Sequence, residues 1–224
     1  MRNKKLVLIA SLIAMLALFL GLTAVFPVVA SAEEIQEASW GADKDNLTGE
    51  GNLQLALNTA STDSTVTYIR LNKDIDLGDG NISAEGGKYT LDLNGHSIIS
   101  TNYTFNVWSL TDITITDTSA EQDGLIESLS EGTSPIITDN SNVKIRLEGG
   151  TIKGIGYAFH LHDTSAEASE AELTVAGGRV VATLGNAIFA RGTLVKVTGG
   201  TLESNADDIT ILNVSLLVML CWIL

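Results

Sequence analysis

One short phrase returns along this chain and limits what it can fold into. It reads IRLEGGTIKG from Ile145, LTVAGGRVVA from Leu173 and VKVTGGTLES from Val195, with a looser copy, LDLNGHSIIS, from Leu91. The shared pattern is a short alternating strand, a glycine turn and a second strand. One such unit is too small to form a core. It must bury its apolar face against the next unit, and that makes the fold a solenoid. Spacing selects the type. Leu173 to Val195 is 22 residues, and aligning Leu91 with Ile113 gives 22 again; Ile145 to Leu173 is 28, with the excess carried by the polar insert Ser165–Glu172. Each unit holds three short strands, as in NAIFARG, TLVKVTGG and TLES. Three strands and roughly two dozen residues per turn fit a large-coil parallel β-helix better than hexapeptide or nonapeptide repeats. A β-sandwich also contains many short strands, but it would not require a Gly-Gly phrase in one register. The β-helix places Leu147, Val175 and Val197 in one inward column.

The repeats define a domain over residues 49–212. Before it, residues 33–48 are polar and aperiodic apart from Trp40, which predicts a flexible linker. Gly51–Ala60 is the helix candidate, with Leu53, Leu57 and Ala60 on one helical face. Strands are expected from Thr65 onward. Residues 213–224 (NVSLLVMLCWIL) form an apolar tail that breaks the pattern. It reads as a cap, as a membrane tail, or as the mark of a truncated or frame-shifted reading frame.

The helix GNLQLALNTA leading into TVTYIRLNKDIDL, then LDLNGHSI and the Gly-Gly coils, resembles the pectin-lyase-like right-handed parallel β-helix superfamily, in the style of secreted or surface-displayed bacterial repeat proteins. The resemblance covers roughly residues 49–212. It implies an all-β, right-handed parallel β-helix whose first coil is capped by the short N-terminal helix. It leaves the activity open, because that superfamily includes lyases, hydrolases, adhesins and phage tailspikes.

The compartment is read from the start of the chain. Arg2, Lys4 and Lys5 precede an apolar run from Leu6 to Val29, which ends at Ala30-Ser31-Ala32. This predicts a secretory signal peptide over residues 1–32, cleaved after Ala32. The apolar run is also long enough to span a bilayer, so an uncleaved anchor is the alternative. The expected location is secreted or at a bacterial cell surface, with no integral membrane span in the mature domain. The full chain has 13 basic and 27 acidic residues; without the three basic residues of the signal the balance is 10 against 27, or −17. Such a surface repels phosphate backbones and excludes nucleic acid as a partner. Cys221 is the only cysteine, so no intramolecular disulfide forms.

Alternation then places side chains. In Tyr157–His162, Phe159 and Leu161 point inward, so His160 and His162 point outward together. Aligning neighbouring coils sets Trp108, Ile137, His160 and Phe189 in one outer column and Asp139, His162 and Arg191 in a second. Aromatic faces beside fixed polar groups suit sugar rings, which present both apolar faces and hydroxyls. These seven residues are the candidate ligand-binding set. The opposing reading is a face covered by a loop, or a register slip that turns the columns inward. His160 and His162 with Asp139 or Asp163 are weak as a metal site. Asp112, Asp117, Asp123 and Asp139 are of a type that holds calcium, but no EF-hand loop or RTX nonapeptide accompanies them, and no cofactor is expected. Lyases of this fold use Arg or Lys as base beside calcium, and hydrolases use clustered carboxylates. Neither motif is present, and no catalytic residue is assigned. The expected function is an exported, non-catalytic, adhesin-like module that touches extracellular glycans or cell-wall components. A polysaccharide lyase or glycoside hydrolase, whole or truncated, is the alternative.

Overall fold

A computed structural model of the chain describes residues 34–162, 170–205, 211–213 and 219–220. The expected signal peptide lies outside the described residues, as does most of the polar insert. The described chain opens with a hairpin of β1 (Ala38–Asp43) and β2 (Asn46–Gly51), followed by helix α1 (Leu53–Thr62). It then passes through three sheets in turn. The first sheet holds the hairpin and then β3 (Tyr68–Leu71), β6 (Gly87–Asp92), β9 (Thr111–Thr116), β12 (Lys144–Leu147), β15 (Glu172–Val175), β18 (Leu194–Val197) and β21 (Met219–Leu220). The second holds β4 (Ile75–Asp76), β7 (Ser97–Ser100), β10 (Leu125–Ser128), β13 (Thr151–Gly154), β16 (Arg179–Ala182) and β19 (Thr201–Ser204). The third holds β5 (Ile82–Ala84), β8 (Phe105–Val107), β11 (Ile136–Thr138), β14 (Phe159–His162), β17 (Ile188–Arg191) and β20 (Ile211–Asn213). Strands from successive coils pair in parallel, as in β12 with β15 and β14 with β17. The fold is therefore a parallel β-helix with one short helix among the described residues. No described helix is long and apolar enough to cross a membrane.

The inward residues stack as the alternation requires. Ile69, Leu91, Ile115, Leu147, Val175 and Val197 follow one another in register along the first sheet. The first five are buried, and Val197 is partly buried against the same core. Ile98, Ile126, Ile152 and Val180 form the matching column of the second sheet, all at 0% exposure. Each fully buried aliphatic side chain of this kind contributes about 1.5–3 kcal/mol relative to exposure.

The recurring Gly-Gly pair sits at the corner between the first and second sheets, and its two glycines answer different constraints. A Cβ on Gly177 would lie 2.1 Å from the Glu148 carbonyl oxygen of the coil before, so the coils could not close to ladder distance. Gly178 has φ +69° and Gly200 φ +76°, the left-handed conformation that glycine adopts without strain. In the looser copy Asn94, at φ 49°, precedes Gly95 at the same corner.

Two sequence expectations are corrected here. Leu91 pairs with Ile115, and it is Tyr89 that pairs with Ile113, so that step is 24 residues rather than 22. A slip of two residues keeps every side chain on its own face, so the apolar alternation does not detect it. Residues 33–48 are also not simply a linker, because β1 and the first half of β2 lie within them, and β1 pairs antiparallel with β3. Register shifts at Trp40/Gly41 and Gly41/Asp43 interrupt the alternation that would have revealed these strands. At the other end, part of the apolar tail continues the fold: Met219 and Leu220 pair with Lys196 and Val197.

Helix α1 closes the first coil. Leu53, Ala56, Leu57 and Ala60 make its buried face, at i, i+3, i+4 and i+7. The Asn52 side chain caps its start by accepting from the Leu55 N–H at 2.8 Å, and Glu37 accepts from the Leu53 N–H at 2.9 Å. Gln54 reaches β5: its amide donates to the Ser83 carbonyl at 2.8 Å and accepts from the Ser83 N–H at 2.9 Å.

Candidate functional site

The outer face of the third sheet brings together six of the seven expected residues. Ile136, Phe159 and Ile188 point inward, at 1% exposure or less. Their neighbours Ile137, His160 and Phe189 therefore point outward, paired in that order through β11, β14 and β17. His162 pairs with Arg191 one position further on, and Asp139 lies beside His162, its Oδ1 3.9 Å from His162 Nδ1. That separation makes the contact an electrostatic one, without hydrogen-bond geometry.

Trp108 is the exception. Ile137 pairs with Asn106, so Asn106 occupies the place in the first column that was expected for Trp108. Ser83 precedes it in β5. Trp108 lies two residues further along, at the level of Asp139 in the second column. The cause is again a two-residue slip, this time in β8, which ends at Val107. Trp108 is 43% exposed and stands over a separate hollow of about 560 Å³ with Glu85, Leu110 and Asn140.

The centre of the face is an aromatic cluster that includes a residue not anticipated from sequence. Tyr157 lies in the turn before β14, with its ring centroid 5.6 Å from His160 and 5.4 Å from Phe189. The His160 and Phe189 centroids are 4.8 Å apart, and the rings meet edge to face at 85°. Each ring is half-buried against the others. The available signal was an aromatic residue at the strand entry, but alternation assigns sides only within a strand, and Tyr157 lies outside one.

The electrostatics of the face are graded. Burial lowers the His160 pKa, the nearby Asp139 carboxylate opposes that shift, and His162 adds to it; the net change is downward. His160 is thus neutral at pH 7 and behaves as an aromatic ring with one donor and one acceptor. The second column runs from the Asp139 carboxylate through His162 to the exposed Arg191 guanidinium. The face can stack on a ring and hydrogen-bond its substituents with both donors and acceptors.

The carboxylates considered for calcium are spread over different settings. Asp117 is buried and accepts from the N–H groups of Ser119, Gly95 and Gly124 at 2.9, 3.0 and 2.6 Å. Burial raises its pKa, but the hydrogen bonds from Ser119, Gly124 and Gly95 outweigh that effect and lower it. Asp112 is ion-paired to Lys88 at 3.0 Å. Asp163, the alternative fourth member of a histidine metal site, lies outside the described residues, and among the described residues no three His, Cys, Asp or Glu side chains form a group suited to a metal. No protein-family model matches the chain, and neither a curated protein nor a solved structure matches it.

Proposed function

We propose that this protein is a non-catalytic, adhesin-like module of the pectin-lyase-like β-helix type, exported to the cell surface or medium, that holds extracellular glycans on the outer face of its third sheet. The observation that carries this reading is the cluster of Tyr157, His160 and Phe189 beside the polar column Asp139, His162 and Arg191. Aromatic faces and hydrogen-bonding groups fixed on adjacent strands match a ligand that has both apolar ring faces and hydroxyls. Strands spaced about 4.8 Å apart present these groups at intervals close to the length of one hexose along an extended chain. Export is supported by the basic, apolar and small-residue segments of residues 1–32. A glycan array probed with the wild type and with Phe189→Ala tests the binding reading. Retention of full glycan binding by Phe189→Ala would remove this face from the site.

A polysaccharide lyase or hydrolase is the second reading, favoured by one observation: Asp112 stands beside Lys88, with Arg146 lining the same hollow. The Lys88 ammonium is exposed and held by the Asp112 carboxylate, a poor arrangement for a general base. Degradation of a polysaccharide panel, with and without calcium, separates the two readings. Product formation that is lost in Asp112→Asn would favour the enzyme.

A further inference from the structure

We propose that the Asn94–Gly95 link is a site of spontaneous covalent modification, at which the asparagine deamidates through a succinimide when its corner opens, and that the folded protein holds the site shut with Asp117. This chemistry is the chain's own and does not depend on a bound glycan.

Cyclisation needs the Gly95 backbone nitrogen to lose its proton to hydroxide and to attack the side-chain carbonyl carbon of Asn94. A carbon–nitrogen bond forms, ammonia leaves from the same carbon, and water then opens the ring to aspartate or isoaspartate. Glycine on the C-terminal side favours the attack, because it carries no side chain to obstruct the nitrogen. Asn94–Gly95 is the only Asn-Gly pair in the chain.

The fold pulls the two reacting groups apart. The Asn94 side-chain amide donates to the Leu71 carbonyl at 3.0 Å, in the coil before. The Gly95 N–H donates to Asp117 Oδ1 at 3.0 Å, just after β9 in the coil that follows. Electrophile and nucleophile are therefore tethered to opposite neighbours in the stack. The Gly95 N–H is also the group that must ionise. Asp117 is 3% exposed, and Asp92, which accepts from the Asn94 N–H at 3.0 Å, is 0% exposed. Two buried carboxylates beside a nitrogen that must become an anion disfavour its ionisation. Space is short as well: a Cβ on Gly95 would lie 3.1 Å from Ser119 Cβ and 3.2 Å from Asp123 Oδ1.

The asparagine has a structural reason to be there. At φ 49° it occupies a backbone region in which asparagine is enriched among side chains, and its amide makes a bond to the preceding coil that glycine could not. The Gly-Gly copies of the corner carry no amide and are inert to this reaction. Deamidation would exchange the Nδ2 donor for a third carboxylate next to Asp92 and Asp117. Isoaspartate would in addition route the backbone through the side chain and lengthen it at a corner bonded to both neighbouring coils. Either product loosens the stack.

The test is peptide mapping by mass spectrometry of the full chain after incubation in mildly alkaline buffer, with and without urea. Asn140–Ser141 is the internal reference. Among the described residues the Ser141 N–H has no hydrogen-bond partner, and the Asn140 amide is held by long contacts of 3.4 and 3.5 Å. In urea Asn94 should deamidate ahead of Asn140, because the serine side chain obstructs attack there. In native buffer Asn94 should slow by at least about tenfold and fall behind Asn140. Asp117→Asn keeps the shape and removes the charge; it should speed Asn94 by about threefold to tenfold in native buffer and leave Asn140 unchanged. Asp117→Ala, which removes the acceptor as well, should speed Asn94 further. An Asn94 rate that is the same with and without urea, or that leads Asn140 in native buffer, overturns the protected site. An Asn94 rate that neither substitution changes overturns the role of Asp117. A rise at Asn140 as well as Asn94 in both variants overturns it too, since Asp117 then holds the whole fold rather than this link.

Discussion

The chain passes through left-handed backbone conformations at two kinds of corner, and they treat the residue there differently. Where the Gly-Gly phrase forms the corner between the first and second sheets, the residues are glycines, with Gly150, Gly178 and Gly200 at φ +74°, +69° and +76°. Between the third and first sheets, after β8, the residue at φ +67° is Leu110. The backbone demand is the same, but the space is not. A Cβ on Gly178 would sit 2.6 Å from the Gly150 carbonyl oxygen of the coil before, whereas the Leu110 side chain points into solvent. At the first corner glycine is dictated by the stacking of coils. At the second, a side chain is kept at a cost in strain.

The largest effect that would test this contrast is expected from Gly178→Val. The clash with the neighbouring coil and the left-handed conformation together should cost about 4 kcal/mol, read as a loss of stability in urea titration. A near-neutral result would mean that the corner can open and that stacking does not dictate glycine. Acidification tests the same corner in another coil, where Asp117 holds the turn. Its folded pKa is depressed, so its contribution is full above the unfolded value near 4 and is lost as pH falls through the folded value. Stability should therefore decline more steeply below about pH 4 in wild type than in Asp117→Asn. Phe189→Ala, on the half-buried aromatic cluster, should cost about 1 kcal/mol, an ordinary single-substitution effect, in chemical denaturation. The smallest effect is expected from Leu110→Gly. Relief of strain and the greater freedom of glycine in the unfolded chain nearly cancel, leaving a change within about 1 kcal/mol in the melting curve. A large loss there would show that Leu110 is held by packing.

These corners also explain what could be read from the residues alone. The Gly-Gly phrase was visible because two separate steric limits act at each copy, and only glycine meets both. The facing of Ile188 and Phe189, and of His160 and His162, followed from strand alternation and agrees with the observed register. The misalignments of Leu91 and of Trp108 share one cause. Both are displaced by two residues, the one shift that an alternating pattern does not register. Tyr157 lies further beyond reach, because it is placed by a turn, where strand alternation assigns no side. The hairpin over β1 and β2 was hidden because its bulges interrupt the periodicity by which strands are recognised.

The Gln54 side chain has a consequence for assembly. Its amide presents one donor and one acceptor to Ser83, the pair of groups that another strand would offer at that position of β5. The side chain thus acts as a terminator, a single-residue imitation of a strand that uses up the valence of the sheet edge. β1 does the same for β3 along the first sheet. A second molecule arriving at this end finds those hydrogen-bonding positions already occupied, which is how β proteins avoid runaway edge-to-edge polymerisation. Strand addition is therefore blocked at these two positions of the α1 end, at β5 by a side chain and at β3 by a strand of the chain's own.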